Sequence, residues 1–226
     1  MVVAGNAPAP EGRERADSRR KRLRLVDAAR TAVAQHGLDV AAADIAARAE
    51  VGIGTLYRRF GSKEALIEVV LLEATELMAD AARRALDDGD PESALASFVT
   101  ELARTQVANR GLAEFTRRVA RPDAELSEPL RERTTLLRDA LAELTVRAQA
   151  AGAVRADVSW RDIAVLAQAA AGTTNCLGVE AGGEQWRRTL GVLMDGLRPV
   201  AARPLPGIPP DDSPGVTGAA PEGPGG

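Results

Sequence analysis

The chain is poor in the residues that most enzymatic and extracellular chemistry needs. Of its 226 residues one is cysteine, Cys176, and one is histidine, His36. A lone cysteine excludes an intramolecular disulfide framework and fits a reducing, cytoplasmic setting. A lone histidine offers no imidazole pair for a metal; it stands at the end of an apolar-striped segment, where a helix dipole favours a basic group. Aromatics make up 3% of the chain: Tyr57, Phe60, Phe98, Phe115, Trp160 and Trp186. No apolar run approaches the ~20 residues of a membrane span, and Met1 to Ser18 lacks the apolar core of a signal peptide. β-branched alternation is scarce, so no strand is expected and the fold class is all-α. No nucleophile, base and orienter can be assembled, and neither a phosphate loop nor a metal-spaced cluster appears. An enzyme is not expected, and no cofactor or metal is implied. Glu114, Glu125 and Glu128, scattered around loops, are expected to be solvated surface.

What is present is charge, unevenly spread. The net charge is −3, which looks wrong for a nucleic-acid binder. Residues 1–63, however, hold twelve Lys or Arg against seven Asp or Glu, leaving −8 for the remainder. That split puts an electrostatic footprint for a polyanion at the amino-terminal end.

Asp44 to Leu66 organises that end: D-I-A-A-R-A-E-V-G-I-G-T-L-Y-R-R-F-G-S-K-E-A-L. Ile45, Ala46 and Ala49 give a short apolar helical face. Val51-Gly52-Ile53-Gly54 supplies one buried apolar residue and glycines suited to unusual backbone angles at a tight corner. Helical spacing resumes from Thr55 to Phe60, with Leu56 and Phe60 on one face and Thr55, Arg58 and Arg59 pointing elsewhere. A short helix, a glycine-bearing turn and a second short helix form a helix-turn-helix, whose second helix enters the DNA major groove. Thr55 is placed to cap that helix or to touch a phosphate or base, and Tyr57 carries a hydroxyl on a rigid ring. Arg58 and Arg59 are long donors of the kind that read guanine. Ser62 is expected to cap the next helix, setting Lys63 at its positive end.

The run A-x-V-G-I-G-T-L-Y-R-R-F-G-S-K-E-A-L resembles the amino-terminal domain of TetR-type transcriptional repressors, with the likeness covering about residues 22–78. The resemblance implies that Tyr57 and Lys63 are phosphate anchors and that Gly54, Thr55, Arg58 and Arg59 are base or backbone readers. It further implies a homodimer on a palindromic DNA operator, and a carboxy-terminal bundle holding a small-molecule effector. Two departures stand out. Family members often cap the first short helix with Ser or Thr, whereas here Val40-Ala41-Ala42-Ala43-Asp44 leaves the cap absent or supplied by Asp39. They also often carry an aromatic or histidine where Arg59 stands, so no relative's operator preference transfers.

The rest of the chain divides as follows. Residues 1–18, mixed in charge and rich in Ala, Pro and Gly, are expected to be disordered. Residues 19–82 form the DNA-binding domain, with the helix-turn-helix at 41–60. A first helix is expected from about 20 to 36, stopped by Gly37. Its start, Arg19-Arg20-Lys21-Arg22 with Arg24, is either a solvated helix end or an arm along phosphates or in the minor groove. A long helix from Ser62 to about Leu86 links this domain to the next. Residues 83–202 make the ligand-binding and dimerisation domain. Its expected helices are capped by Asp90 before Pro91, interrupted at Arg110-Gly111, capped again by Ser127, stopped at Gly152, and restarted at Ser159 with Asp162. Phe98, Leu102, Phe115, Leu137 and Leu141, from the middle helices, are the candidate pocket residues. Two helices at about 159–174 and 183–200, with small and apolar faces, are the candidate dimer interface. Residues 203–226, with seven Pro and six Gly, are expected to be a disordered tail. A ligand-independent or architectural DNA-binding protein is the alternative to a ligand-responsive repressor.

Overall fold

The computed structural model describes residues 10–120, 124–172, 175–176, 179–180, 182–200 and 203–206. Its helices are α1 (Pro10–His36), α2 (Ala42–Arg48), α3 (Ile53–Phe60), α4 (Lys63–Asp87), α5 (Pro91–Ala108), α6 (Arg110–Val119), α7 (Glu128–Ala150), α8 (Trp160–Ala171) and α9 (Gln185–Asp195). Against the expectation of no strand, the described residues include a two-residue antiparallel pair, β1 (Asn175–Cys176) with β2 (Val179–Glu180).

Most boundaries follow local chemistry. Ser62 Oγ accepts the Ala65 N–H at 3.0 Å and starts α4. Asp90 caps α5, with Pro91 at the first helical position, where its missing N–H costs nothing. Ser159 and Asp162 form a reciprocal capping box on α8. Gly37, at φ +87, turns the chain out of α1 while its N–H still reaches the Val33 carbonyl at 2.9 Å.

Several expectations are corrected. The helix predicted from about 20 begins at Pro10, so residues 10–18 of the expected disordered tail are helical; residues 1–9 lie outside the described part. Arg, Glu, Lys and Ala are all good helix formers, and Lys21 pairs with Asp17 one turn back at 2.6 Å. Of the two alternatives at the start of α2, the side-chain cap is absent, and Asp39 does not supply it. Ser127 occupies the cap position of α7 without making a cap hydrogen bond. Pro129, two residues on, has removed one of the N–H groups that a cap would bond. The break between α5 and α6 falls at Asn109, whose side chain accepts the Leu112 N–H, and Arg110-Gly111 is helical. At α8 the helix ends at Ala171, before the expected Thr174, and α9 ends at Asp195 rather than near Val200. Of the expected tail at 203–226, residues 207–226 lie outside the described part. Within 203–206, Arg203 and Leu205 bond through their backbone to Arg155 and Asp157.

Two cores result, and α4 runs through both. The amino-terminal core gathers Leu25, Ala29 and Val33 of α1, Ile45, Leu56, Leu66 and Val70, together with Leu112 and Phe115 of α6 and Leu130 of α7. A carboxy-terminal core gathers Ala82 and Ala85 of α4 with Leu95, Phe98, Val99, Leu141, Leu144, Ile163 and Trp186. Leu102 and Leu137 pack against both. α6 therefore belongs by packing to the amino-terminal core although it is late in the chain. Gly111 makes this possible: a Cβ there would collide with Val33 Cγ1 and stand 3.0 Å from the Val33 carbonyl oxygen. Glycine lets the two helices approach, which a reading of it as a helix breaker missed.

Candidate nucleic-acid interface

The helix-turn-helix is held by a few buried residues. Ile45 and Ala46 anchor α2 and Leu56, fully buried, anchors α3. Burying one leucine in this way contributes roughly 1.5–3 kcal/mol. The turn between them is not made by its glycines. Glu50, at φ 52, takes the left-handed conformation, while Gly52 is extended at φ −68 and Gly54 is helical. The strain at Glu50 is accompanied by a bond from its own N–H to the Ala47 carbonyl, and Arg24 holds its carboxylate at 2.5 Å. Neither apolar residue of the run is the fully buried one expected: Val51 is half-buried against the core and Ile53 is exposed.

With Leu56 inward, α3 turns a fixed face outward. Gly54, Tyr57 and Arg58 are exposed, and Ile53 joins them at 45% exposure beside Tyr57 at 47%. Positions 53, 54, 57 and 58 are neighbours on one helical face, because residues three and four apart stack on adjacent turns. Nothing in the protein occupies the space a Cβ at Gly54 would fill, so the backbone there is open to close approach from outside. Ile53 was missed as a surface residue. An apolar side chain on this face suits a thymine methyl group, and its position four residues before Tyr57 was the available signal. Thr55 is half-buried and is no helix cap, since the cap position is Gly52.

Arg59 is not on that face. Its Nη1 donates to Ser18 Oγ of α1 at 2.6 Å, and its Nε is buried with no hydrogen-bond partner among the described residues. Beside it Phe60 lies under Arg22, whose guanidinium carbon is 5.2 Å from the ring centroid. Asp17, next to Ser18, has its carboxyl held below the ordinary range, first by the bond from Lys21 and further by the charges of Arg20 and Arg59. Lys63 opens α4 with its side chain 23% exposed and its ammonium 3.7 Å from Glu64. The six expected site residues thus split: Gly54, Tyr57 and Arg58 share the open face, Thr55 and Lys63 flank it, and Arg59 turns away.

Lys63 also lines a cleft of about 280 Å³ between the α1–α2 turn, α4, α6 and the start of α7, with Asp39, Glu64, Arg118, Phe115 and Leu130 among its walls. Phe115 is the one expected pocket residue there. The five pocket candidates are not brought together, for Phe98 and Leu141 sit in the carboxy-terminal core while Phe115 sits in the amino-terminal one. The cause is the docking of α6 on α1. Glu114, expected to be solvated, instead reaches from α6 to accept the Leu38 N–H at 2.8 Å and the Arg110 guanidinium at 2.9 Å. Its carboxyl is held below the ordinary range chiefly by that backbone N–H, against the opposing effect of burial, with Arg110 adding to the shift.

Among the described residues, no helix is long and apolar enough to cross a membrane. Residues 25–70 match the family model of bacterial regulatory proteins of the tetR family. Residues 90–199 match that of the SbtR-like transcriptional regulator carboxy-terminal domain. The TetR transcription regulatory protein from Mycobacterium vanbaalenii is 32% identical, with 81% of this chain and 98% of that one covered and a TM-score of 0.52. The TetR transcriptional regulator SCO0520 from Streptomyces coelicolor is 30% identical over 80% of this chain and 99% of that one, with a TM-score of 0.54. The Bacillus subtilis regulator FadR in complex with stearoyl-CoA, 17% identical over 78% of this chain and 99% of that one at a TM-score of 0.54, shares the fold. Among curated proteins none matches.

Proposed function

The chain belongs to the TetR family of bacterial DNA-binding transcriptional regulators, and from that premise we propose that it is a homodimeric repressor released from a palindromic operator by a small molecule. The observation that carries the reading is the outward face of α3, where Ile53, Gly54, Tyr57 and Arg58 stand clear of the core while Leu56 fixes the helix. On this reading Arg58 and Ile53 meet base edges in the major groove, Gly54 lets the backbone come close, and Tyr57, Thr55 and Lys63 hold phosphates. Arg59 acts as a brace for the reader rather than as a reader.

Dimerisation through α8 and α9 is supported by what those helices expose. Val165 is 62% exposed and Val192 is 73% exposed, with Ala169, Gly172 and Gly191 on the same outward sides. Small and apolar faces of this kind pack helix on helix, and a two-fold dimer sets two α3 helices on half-sites about one DNA turn, ~34 Å, apart.

Effector release needs a state that the ligand prefers and DNA does not. α4 is the physical link, since it begins at Lys63 and passes through both cores. Leu102 and Leu137 lie where the cores meet, with Phe98 and Leu141 on one side and Phe115 on the other. A ligand that parted these side chains would shift α4 and α6 relative to α1 and so alter the spacing of the readers. In the B. subtilis relative the bound molecule is stearoyl-CoA; the apolar character of these five residues supports an effector with a largely apolar part here as well.

The test is selection from random duplexes by the purified full chain, with the mass of the complex measured by light scattering. A palindrome carrying two chains supports the reading, and absence of sequence enrichment with and without metabolite extract counts against it.

A further inference from the structure

We propose that the amino-terminal half of α1 is a braced second DNA-contacting element, which carries Arg19 and Arg20 to the phosphates flanking the site read by α3. The proposal rests on the reading of α3 as a DNA reader.

α1 runs far past the core it serves. Its first core residue is Leu25, whereas the helix begins at Pro10, so about 22 Å of helix extends beyond the core at ~1.5 Å per residue. A free polar extension of that length would fray, because isolated helical turns are marginal in water. Here the extension is tied to the reader helix. Ser18 Oγ accepts from Arg59 Nη1 and Arg22 stacks on Phe60, joining one face of α1 to the last turn of α3. That hydrogen bond and that cation–π contact fix the direction of the extension relative to the outward face of α3.

The brace also sorts the basic residues of the run. Arg24 is occupied by Glu50, Arg22 by Phe60 and Lys21 by Asp17. Arg19 and Arg20 are exposed and make no hydrogen bond or ion pair among the described residues; Arg20 acts on Asp17 through its charge alone. Two unpaired guanidiniums on a held helix beside a DNA-reading helix have one fitting partner, a row of phosphates. Binding there would release counterions and add affinity without base preference. Arg59 has one guanidinium nitrogen bonded to Ser18 and another buried, so in this scheme it is a positioning residue for the extension.

The experiment is a salt titration of the full chain on a random-sequence 40-base-pair duplex, so that no operator need be known. Wild type is compared with Arg19→Ala/Arg20→Ala, with Arg19→Lys/Arg20→Lys, and with Ser18→Ala. Losing two phosphate contacts per chain should flatten the plot of log K against log salt by about 2 for each chain bound. The lysine variant should restore the slope, and Ser18→Ala should lose part of it although both arginines remain. A slope unchanged in the alanine variant would overturn the proposal, while sequence-selective binding through α3 would survive. If wild type bound no duplex at any salt, the reading of α3 would fall and the extension with it. Circular dichroism accompanies each variant; a double alanine variant with wild-type helicity and a wild-type slope is decisive against the extension.

Discussion

Glu114 Oε2, on α6, accepts the backbone N–H of Leu38 at 2.8 Å from 76 positions further along the chain. The contact ties the turn that follows α1 to a helix of the regulatory half. It also crowds Gly37, where a Cβ would lie 2.7 Å from Glu114 Cδ. Position 37 is committed to glycine by its positive φ, and a Cβ there would also have to displace the Glu114 carboxylate.

Replacing Glu114 with Ala should destabilise the chain by roughly 1–3 kcal/mol, because the partly buried Leu38 N–H loses its acceptor. The sign of the pH effect follows from the carboxyl being held below its ordinary value near 4.5. A group shifted in this direction contributes stability that is present above the unfolded value and is lost as pH falls through the folded one. Urea denaturation of wild type should thus show stability declining below about pH 4.5. Glu114→Gln should show a smaller decline over that range.

Gly111→Ala tests the close approach of α6 to α1. In an open helix the change would stabilise by up to ~1 kcal/mol. Against Val33 it should instead cost about 1–3 kcal/mol, as overpacking does. Val33→Ala in the same chain should recover part of the loss. Thermal denaturation of the single and double variants reads the coupling, and a Gly111→Ala chain as stable as wild type would deny the contact.

Lys63→Ala should weaken binding to all duplexes about equally and reduce the salt slope by about 1 per chain. Electrophoretic mobility shifts at four salt concentrations check it. A slope identical to that of wild type would remove Lys63 from the phosphate contacts.

If α8 and α9 form the proposed dimer interface, Val165→Glu combined with Val192→Glu should leave the chain monomeric, since each places a charge on an exposed apolar helix face. Sedimentation gives the mass, and operator affinity should fall with it. A variant that stays dimeric would place the interface elsewhere.

The sequence made α3 legible because its signals are local. Leu56 four before Phe60, the Ser62 cap, Asp90 before Pro91 and the Ser159–Asp162 box each act within one turn of helix, and each forms its bond or burial as expected, with Phe60 half-buried. What was not legible acts over distance. Arg59 looked like a reader because nothing near it in sequence showed that Ser18 would hold it. Ser18 itself lay in a stretch whose polar composition reads as disorder, though its residues favour helix once one face is tied down. Glu114 and Gly111 were misread for the same reason: their partners, Leu38 and Val33, belong to α1. Glu50 carries the left-handed turn although two glycines stood nearby to take it; no feature of the structure explains that choice. The pocket residues were grouped by chain order, whereas α6 packs against α1 and carries Phe115 into the other core.

The most direct test of the central claim is duplex selection by wild type and by Arg58→Ala, side by side at one salt concentration. Wild type should select a palindrome. Arg58→Ala should select the same half-site spacing with preference lost at one symmetric pair of positions, worth about 1–3 kcal/mol at each. An Arg58→Ala chain that selects the same motif with the same preferences would contradict the assignment of the outward face of α3 as the reader.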